Sequence, residues 1–203
     1  IDRRPGFAVC PADGRLLNCG KIGEGKLIQA KGREFSVGRL LANEADARRF
    51  DEGCWATVYL SPKDYHRVHH PVEGKVVSAR YVPGYLWPVN RAAVENVDDL
   101  FCVNERIITT VDSPMGEVVT IMVGATSVGH ITMSYDNELE SNRGAQPGDR
   151  AFDPAVRVAR GDELGIFHLG STAIVLFANP AVRLESLSEG QPVRLGQPLA
   201  RID

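Results

Sequence analysis

No apolar run in this sequence reaches the roughly 18 residues that a helix needs to cross a bilayer. No basic, apolar, small-residue leader opens it either. The chain begins at Ile1, in what reads as the middle of a protein, so a further N-terminal segment is expected ahead of it. An excess of one charge is also lacking: Lys and Arg number 23 against 26 Asp and Glu, a net of −3. That balance provides no global basic field to draw nucleic acid, and no nucleic-acid partner is expected. There is no internal repeat and no low-complexity tract. Gly20-Lys21-Ile22-Gly23-Glu24-Gly25 matches neither the P-loop nor the dinucleotide fingerprint, and reads as a turn. Cys10, Cys19, Cys54 and Cys102 form no C-x-x-C pair, which argues against a zinc ribbon. They read as free, half-buried thiols suited to a reducing compartment. H-E-x-x-H and G-x-S-x-G are missing too, which removes the common zinc-protease helix and the hydrolase elbow.

What is present is an ordinary globular composition. The 203 residues are 43% hydrophobic and 24% charged, enough for a single domain, 1–203, with one well-filled core. Glycine (20) and proline (12) cut the sequence into short units rich in β-branched residues. Strands are expected at 15–18, 26–30, 54–60, 75–82, 105–111, 117–124, 127–134, 163–168, 172–177, 181–185 and 198–202. Residues 37–42 and 44–50 suit short helices with Ser36 and Asn43 as N-caps. The fold class is therefore mainly β (α+β): an antiparallel β barrel or sandwich with a few short helices. Residues 136–157 hold several Asn, Gly and Pro with little periodicity, and read as a long loop, either disordered or a lid.

Three clusters could carry chemistry. Pro11-Ala12-Asp13-Gly14 is a turn signal with a carboxylate in it. Asp64-Tyr65-His66-Arg67-Val68-His69-His70 holds three of the five histidines. Such a cluster serves as a solvated loop, a metal site or a proton-transfer base, the last favoured because imidazole titrates near neutral pH. On a strand, His66 and His70 would face one way and His69 the other. Leu169-Gly170-Ser171-Thr172 lies between two strand-like runs and reads as a tight turn with an activatable hydroxyl. Asp13, His69 and Ser171 together supply an acid, a base and a nucleophile, though residue types alone do not make a triad. Tyr85-Leu86-Trp87-Pro88 is apolar and suits either core packing or a lipid interface.

At Leu169-Gly170-Ser171-Thr172 the chain resembles the self-cleavage motif of phosphatidylserine decarboxylase proenzymes of the bacterial type. The stretch from Asp64 to His69 resembles that family's D-Y-H-R-x-H segment, and Pro11-Ala12-Asp13-Gly14 its P-x-D-G segment. Leu27-Ile28-Gln29-Ala30-Lys31-Gly32, Tyr81-Val82-Pro83-Gly84, Asn104-Glu105-Arg106 and Val123-Gly124-Ala125-Thr126 are similar as well, in the same order.

The resemblance implies a carboxy-lyase that cuts itself between Gly170 and Ser171. A β chain, 1–170, and an α chain, 171–203, would result. Ser171 would become a covalent pyruvoyl group, with no metal and no pyridoxal phosphate. His69, oriented by Asp13, would activate Ser171. The mature enzyme would convert phosphatidylserine to phosphatidylethanolamine and CO2 through a Schiff base. His66 would give the proton or hold the substrate carboxylate, with Tyr85 and Trp87 lining the lipid side. A homodimer, peripheral on the cytoplasmic face of a bacterial membrane, is expected. A serine hydrolase using Asp13, His69 and Ser171, a pyruvoyl decarboxylase for another amino-acid-type substrate, a β-sandwich carrier module and a metal-binding protein stay open as alternatives.

Overall fold

The computed structural model describes residues 1–30, 33–126, 130–141, 146–168 and 171–202. In chain order its strands begin with β1 (Phe7–Val9), β2 (Gly14–Lys21), β3 (Lys26–Ala30), β4 (Arg33–Ser36) and β5 (Cys54–Tyr59). They continue with β6 (Arg67–His69), β7 (Gly74–Val82), β8 (Arg106–Ser113), β9 (Gly116–Val123), β10 (Ile131–Met133) and β11 (Gly148–Val158). The last are β12 (Glu163–Phe167), β13 (Thr172–Phe177), β14 (Val182–Leu184), β15 (Pro192–Val193) and β16 (Pro198–Ile202). Short helices are α1 (Val37–Leu41), α2 (Glu44–Ala47), α3 (Arg91–Asn96) and α4 (Leu100–Val103).

Eight strands form one antiparallel sheet in the order β11-β7-β8-β9-β13-β5-β2-β15. The run Thr-Ala-Ile-Val-Leu-Phe of β13 pairs with β9 on one side and β5 on the other, and every residue of it is buried. Side chains alternate across a strand, so complete burial requires cover on both faces. One face carries Ile107, Met122, Ala173 and Val58, and the sheets β10-β12-β6 and β1-β16-β14 lie over it. Met122 Sδ lies 3.1 Å from where a Cβ on Gly165 of β12 would sit. The Cys54 thiol donates to the Val182 carbonyl of β14. The other face carries Arg106, Val123 and Thr172 and is covered by the helical segments and the β3–β4 hairpin. There the Arg106 guanidinium donates to the carbonyls of Arg39 and Leu40 in α1, and Arg49 pairs with Glu117.

The architecture is thus mainly β, sandwich-like and antiparallel with a few short helices, as the strand pattern implies. Among the described residues the sheets do not close into a barrel. Both expected caps form: Ser36 Oγ accepts from Arg39 N at 3.2 Å, and Asn43 Oδ1 from Ala45 N at 3.0 Å. The expected second helix divides into α2 and a 3-10 turn, Arg48–Phe50. The loop expected at 136–157 is corrected: its second half is most of β11, which pairs with β7 at 148–151 and again at 156–158. Between them the register shifts around Pro154, and the strand is largely exposed at the sheet edge. An edge strand broken by a bulge and a proline shows no apolar alternation, which is why it reads as loop. Residues 142–145 of that stretch, and 127–129 of another expected strand, lie outside the described residues. Gly20 and Lys21 belong to β2, and the turn is confined to 23–25, closed by Lys26 N donating to Gly23 O.

Candidate active site

Ser171 stands at the head of β13, in the middle of the large sheet, with no solvent exposure. Its carbonyl accepts from Leu60 N at 2.7 Å, just past the end of β5. Its hydroxyl donates to the Val123 carbonyl at the end of β9. Both neighbouring strands therefore grip this residue. Gly170, the other half of the expected cleavage bond, lies outside the described residues.

From Leu60 the chain turns back on itself. Asp64 N donates to Ser61 O, and Asp64 Oδ2 accepts from Ser61 N at 2.7 Å. Asp64 is thus a turn former, a common use of aspartate. The chain then runs as β6 against β12, the strand that leads toward Ser171. Phe167 N donates to His66 O, so His66 lies beside the approach to the serine. β6 spans only Arg67–His69, so His66 and His70 flank the strand and the alternation expected along one does not extend to them. His66 Nε2 and His69 Nε2 are both buried and both lack a hydrogen-bond partner. His70 is fully buried with neither ring nitrogen bonded. Burial pushes its pKa down to about 4, against an upward pull from Asp162 and a further push down from His69. Buried polar atoms are rarely left unpaired in native proteins, and exceptions gather where chemistry or a ligand supplies the partner.

His69 N donates to Pro11 O at 2.8 Å, which draws the Pro11–Asp13 turn to β6. Next to it, a Cβ on Gly14 would lie 2.2 Å from Tyr59 O, so only glycine permits this approach. Arg15 and Thr172 both register with Tyr59, from opposite sides of β5. The Asp13 and Ser171 segments therefore share one end of the sheet, two strand spacings or roughly 10 Å apart. The structure brings the three segments together but does not join the side chains. Asp13 Oδ1 accepts from Leu195 N at 2.7 Å, and His69 Nδ1 lies 2.8 Å from Gly161 O. No hydrogen bond connects Asp13 with His69 or His69 with Ser171.

The aromatic stretch is not core. Tyr85 is 68% and Trp87 49% exposed. Asn104 holds it: its side chain accepts from Trp87 N at 3.0 Å and donates to Trp87 O and to Gly124 O, both at 2.8 Å. Thr126 Oγ1 donates to Leu86 O. Gly124 follows Val123, so the aromatic stretch is tied one residue from the Ser171 contact. Beside Asn104, the buried Glu105 accepts from Ser141 Oγ at 2.9 Å and Tyr81 OH at 3.2 Å. The buried Arg106 donates to four backbone carbonyls, and burial pushes its pKa down to about 10. Asn104-Glu105-Arg106 is thus a bracket under the site. Sequence reasoning assigned it no role, although three consecutive polar residues entering a strand of apolar neighbours are a usable signal. The Gly161 carbonyl was not anticipated at all; the Arg-Gly-Asp turn that supplies it reads from sequence as any turn.

Among the described residues no group of three His, Cys, Asp or Glu is placed to hold a metal. The four cysteines are free, Cys10 and Cys54 buried and the other two half-buried. Burial pushes the Cys10, Cys54 and Cys102 thiols up to about 12, which leaves them poor nucleophiles. No described helix is long and apolar enough to cross a membrane.

Residues 1–201 match the family model described as phosphatidylserine decarboxylase. The chain is 45% identical over 192 residues to a phosphatidylserine decarboxylase proenzyme of Anaeromyxobacter sp., covering 93% of this chain and 68% of that protein. It is 43% identical over 199 residues to the proenzyme of Myxococcus xanthus, covering 97% and 70%. With that of Pseudomonas putida strain GB-1 the identity is 44% over 209 residues, covering 98% and 71%.

Proposed function

The chain belongs to the phosphatidylserine decarboxylase family, and from that premise we propose that it is a proenzyme that cleaves itself before Ser171 and then decarboxylates phosphatidylserine. The observation that carries this reading is the burial of Ser171 at the head of a central strand. In the uncut chain a hydroxyl with no exposure is out of reach of an external ester, which disfavours the serine hydrolase; phosphatidylserine gains access only once the cut has freed the end at 171. The peptide bond on its own N-terminal side is within reach by geometry of the chain alone.

His69 is the proposed base, since its Nε2 is buried and unpartnered. It takes the Ser171 hydroxyl proton, the oxygen attacks the Gly170 carbonyl, and the Ser171 nitrogen leaves protonated. The peptide bond becomes an ester. Removal of the Ser171 α-proton expels the Gly170 carboxylate, and water replaces the resulting enamine nitrogen, releasing ammonia and leaving a pyruvoyl end. The hydroxyl must first leave the Val123 carbonyl to which it donates. Asp13 shapes this arrangement through Leu195 and the sheet end.

The position fits a pyruvoyl group: its carbonyl would inherit the Leu60 N–H bond, and His66, with its buried Nε2, lies beside the approach strand. When present, that group supplies an electron sink for the carbanion left by CO2 loss. His66 delivers the proton to the product or holds the substrate carboxylate. Apolar surroundings favour dispersal of the carboxylate charge. The exposure of Tyr85 and Trp87, which are tied to Gly124 through Asn104, supports a role for them against the lipid surface that carries the substrate.

Denaturing intact-mass measurement tests the reading. Two chains split between Gly170 and Ser171 are expected, the smaller one blocked by a ketone that borohydride reduces. A chain that stays whole after long incubation near neutral pH, and whose Ser171 takes a fluorophosphonate, would transfer the case to the hydrolase.

A further inference from the structure

We propose that Glu105 is the second base of self-cleavage, the group that takes the Ser171 α-proton when the ester is eliminated. This rests on the reading of the chain as a self-cleaving proenzyme. His69 acts on the hydroxyl, whereas elimination breaks the Cα–H bond and needs a base on that side of the residue.

β8, β9 and β13 lie side by side, with Arg106, Val123 and Thr172 in one row across them. The next row holds Glu105, Gly124 and Ser171, and Gly124 N donates to Glu105 O at 2.8 Å. The middle member of that row has no side chain. A Cβ on Gly124 would lie 2.7 Å from Glu105 Cγ and 3.1 Å from Glu105 Oε1, so the Glu105 side chain fills the space that any other residue would need. That space adjoins Ser171, since Cβ positions of cross-strand neighbours are about 4.5–5.5 Å apart. The Ser171 carbonyl faces the other way and accepts from Leu60 N, just past the end of β5. Along a strand the Cα–H points away from the edge that the residue's own peptide groups face, so that of Ser171 points toward β9 and Gly124. The Glu105 carboxylate thus stands on the side to which the α-proton is directed.

The carboxylate suits the task. It is buried, and its oxygens accept from Ser141 Oγ at 2.9 Å and Tyr81 OH at 3.2 Å. Both of these partners are neutral hydroxyls, so the charge is buried without a cation in either bond, where a glutamine would be less costly to desolvate. In the step, a Glu105 oxygen takes the α-proton and the C–H electron pair forms the Cα–Cβ double bond. The Cβ–Oγ bond breaks, and its electrons leave on the Gly170 carboxylate. The Glu105 acid then returns its proton to Cβ, turning the enamine into an iminium that water converts to the ketone with release of ammonium.

The full chain with Glu105→Gln tests this, with hydroxylamine added to the folded protein before denaturing mass measurement. The ester should accumulate. Hydroxylamine should then split the variant into 1–170, ending in a hydroxamate, and 171–203, beginning with unmodified serine. The ketone-blocked end should form roughly a hundredfold more slowly, within the usual range for loss of a general base. Glu105→Asp, with its carboxylate one carbon short, should finish slowly, and α-deuterated serine should slow its ketone formation but not its ester formation. A ketone formed at the unaltered rate in Glu105→Gln, or a folded Glu105→Gln chain that forms no ester, would overturn the inference. Should Glu105→Gln not fold, Glu105→Asp decides, and an absent isotope effect there overturns it equally. An unaltered chain that forms neither ester nor ketone would sink the self-cleavage reading itself, whereas an ester that reaches the ketone without Glu105 would sink this inference alone.

Discussion

His70 has no exposure and no hydrogen-bond partner for either nitrogen. Its ring lies 6.2 Å from that of the buried Tyr135, whose hydroxyl is already engaged with Thr109. A histidine held neutral this way makes the fold sensitive to acid. In the unfolded chain it takes a proton below about 6.5, and in the folded chain only below about 4. The unfolded state thus binds more protons across that window, and stability rises with pH through it. The contribution is fully present above about 6.5 and gone below about 4, on the order of 3 kcal/mol in all. Urea midpoints should therefore fall between pH 7 and pH 4.5, and fall less in His70→Leu; parallel profiles for the two proteins would count against this account. Ser171 gives the second residue-scale prediction. Ser171→Ala should stay a single chain indefinitely on a denaturing gel, and Ser171→Cys or Ser171→Thr should cleave partially and slowly. Cleavage of the alanine variant would remove the serine from the chemistry.

The elements around the site are short, and buried side chains fix them more than their own ladders do. The stretch 85–88 has one parallel bridge to Asn104 and two side-chain bonds from that same residue, whose third bond goes to Gly124 O. Asn104→Ala leaves Trp87 N, Trp87 O and Gly124 O without those partners, which should cost about 2–3 kcal/mol. A lower melting temperature and new chymotryptic cutting at Tyr85 or Trp87 would report it; an unchanged cutting pattern would mean that the stretch is held by other contacts. Legibility follows the same division. The caps at Ser36 and Asn43 and the apolar run of β13 are local signals, and they read correctly from neighbouring residues. β6 is three residues long and β11 is a bulged edge, and neither carries enough periodicity to stand out. For that reason the alternation expected along a strand does not extend to His66 and His70, which flank β6.

At the scale of the whole molecule, the cut before Ser171 would fall inside one folded unit. The piece from 171 onward supplies β13 at the centre of the large sheet, β15 against β2, and both β16, which pairs with β1, and β14 on the far side of β16. The two pieces should therefore co-migrate under native conditions, at a mass of 22.1 kDa per copy or a multiple of it, and part only in denaturant. Parting without denaturant would contradict a strand buried between β9 and β5.

The sequence by itself determined the β-rich class, two helix caps, the family, and the segments that meet at one end of the sheet. Those follow from residue type and order, which local sterics and motif spacing make readable. Tertiary structure alone decided how the side chains within those segments are paired. It gave the Asp13 carboxylate to Leu195, the His69 Nδ1 to Gly161 and the Ser171 hydroxyl to Val123. It also left Trp87 exposed and His70 sealed. The physical reason is that a hydrogen bond or a burial belongs to whichever strand packs alongside. Residues 69 and 161 become partners only once β6 and β12 lie side by side.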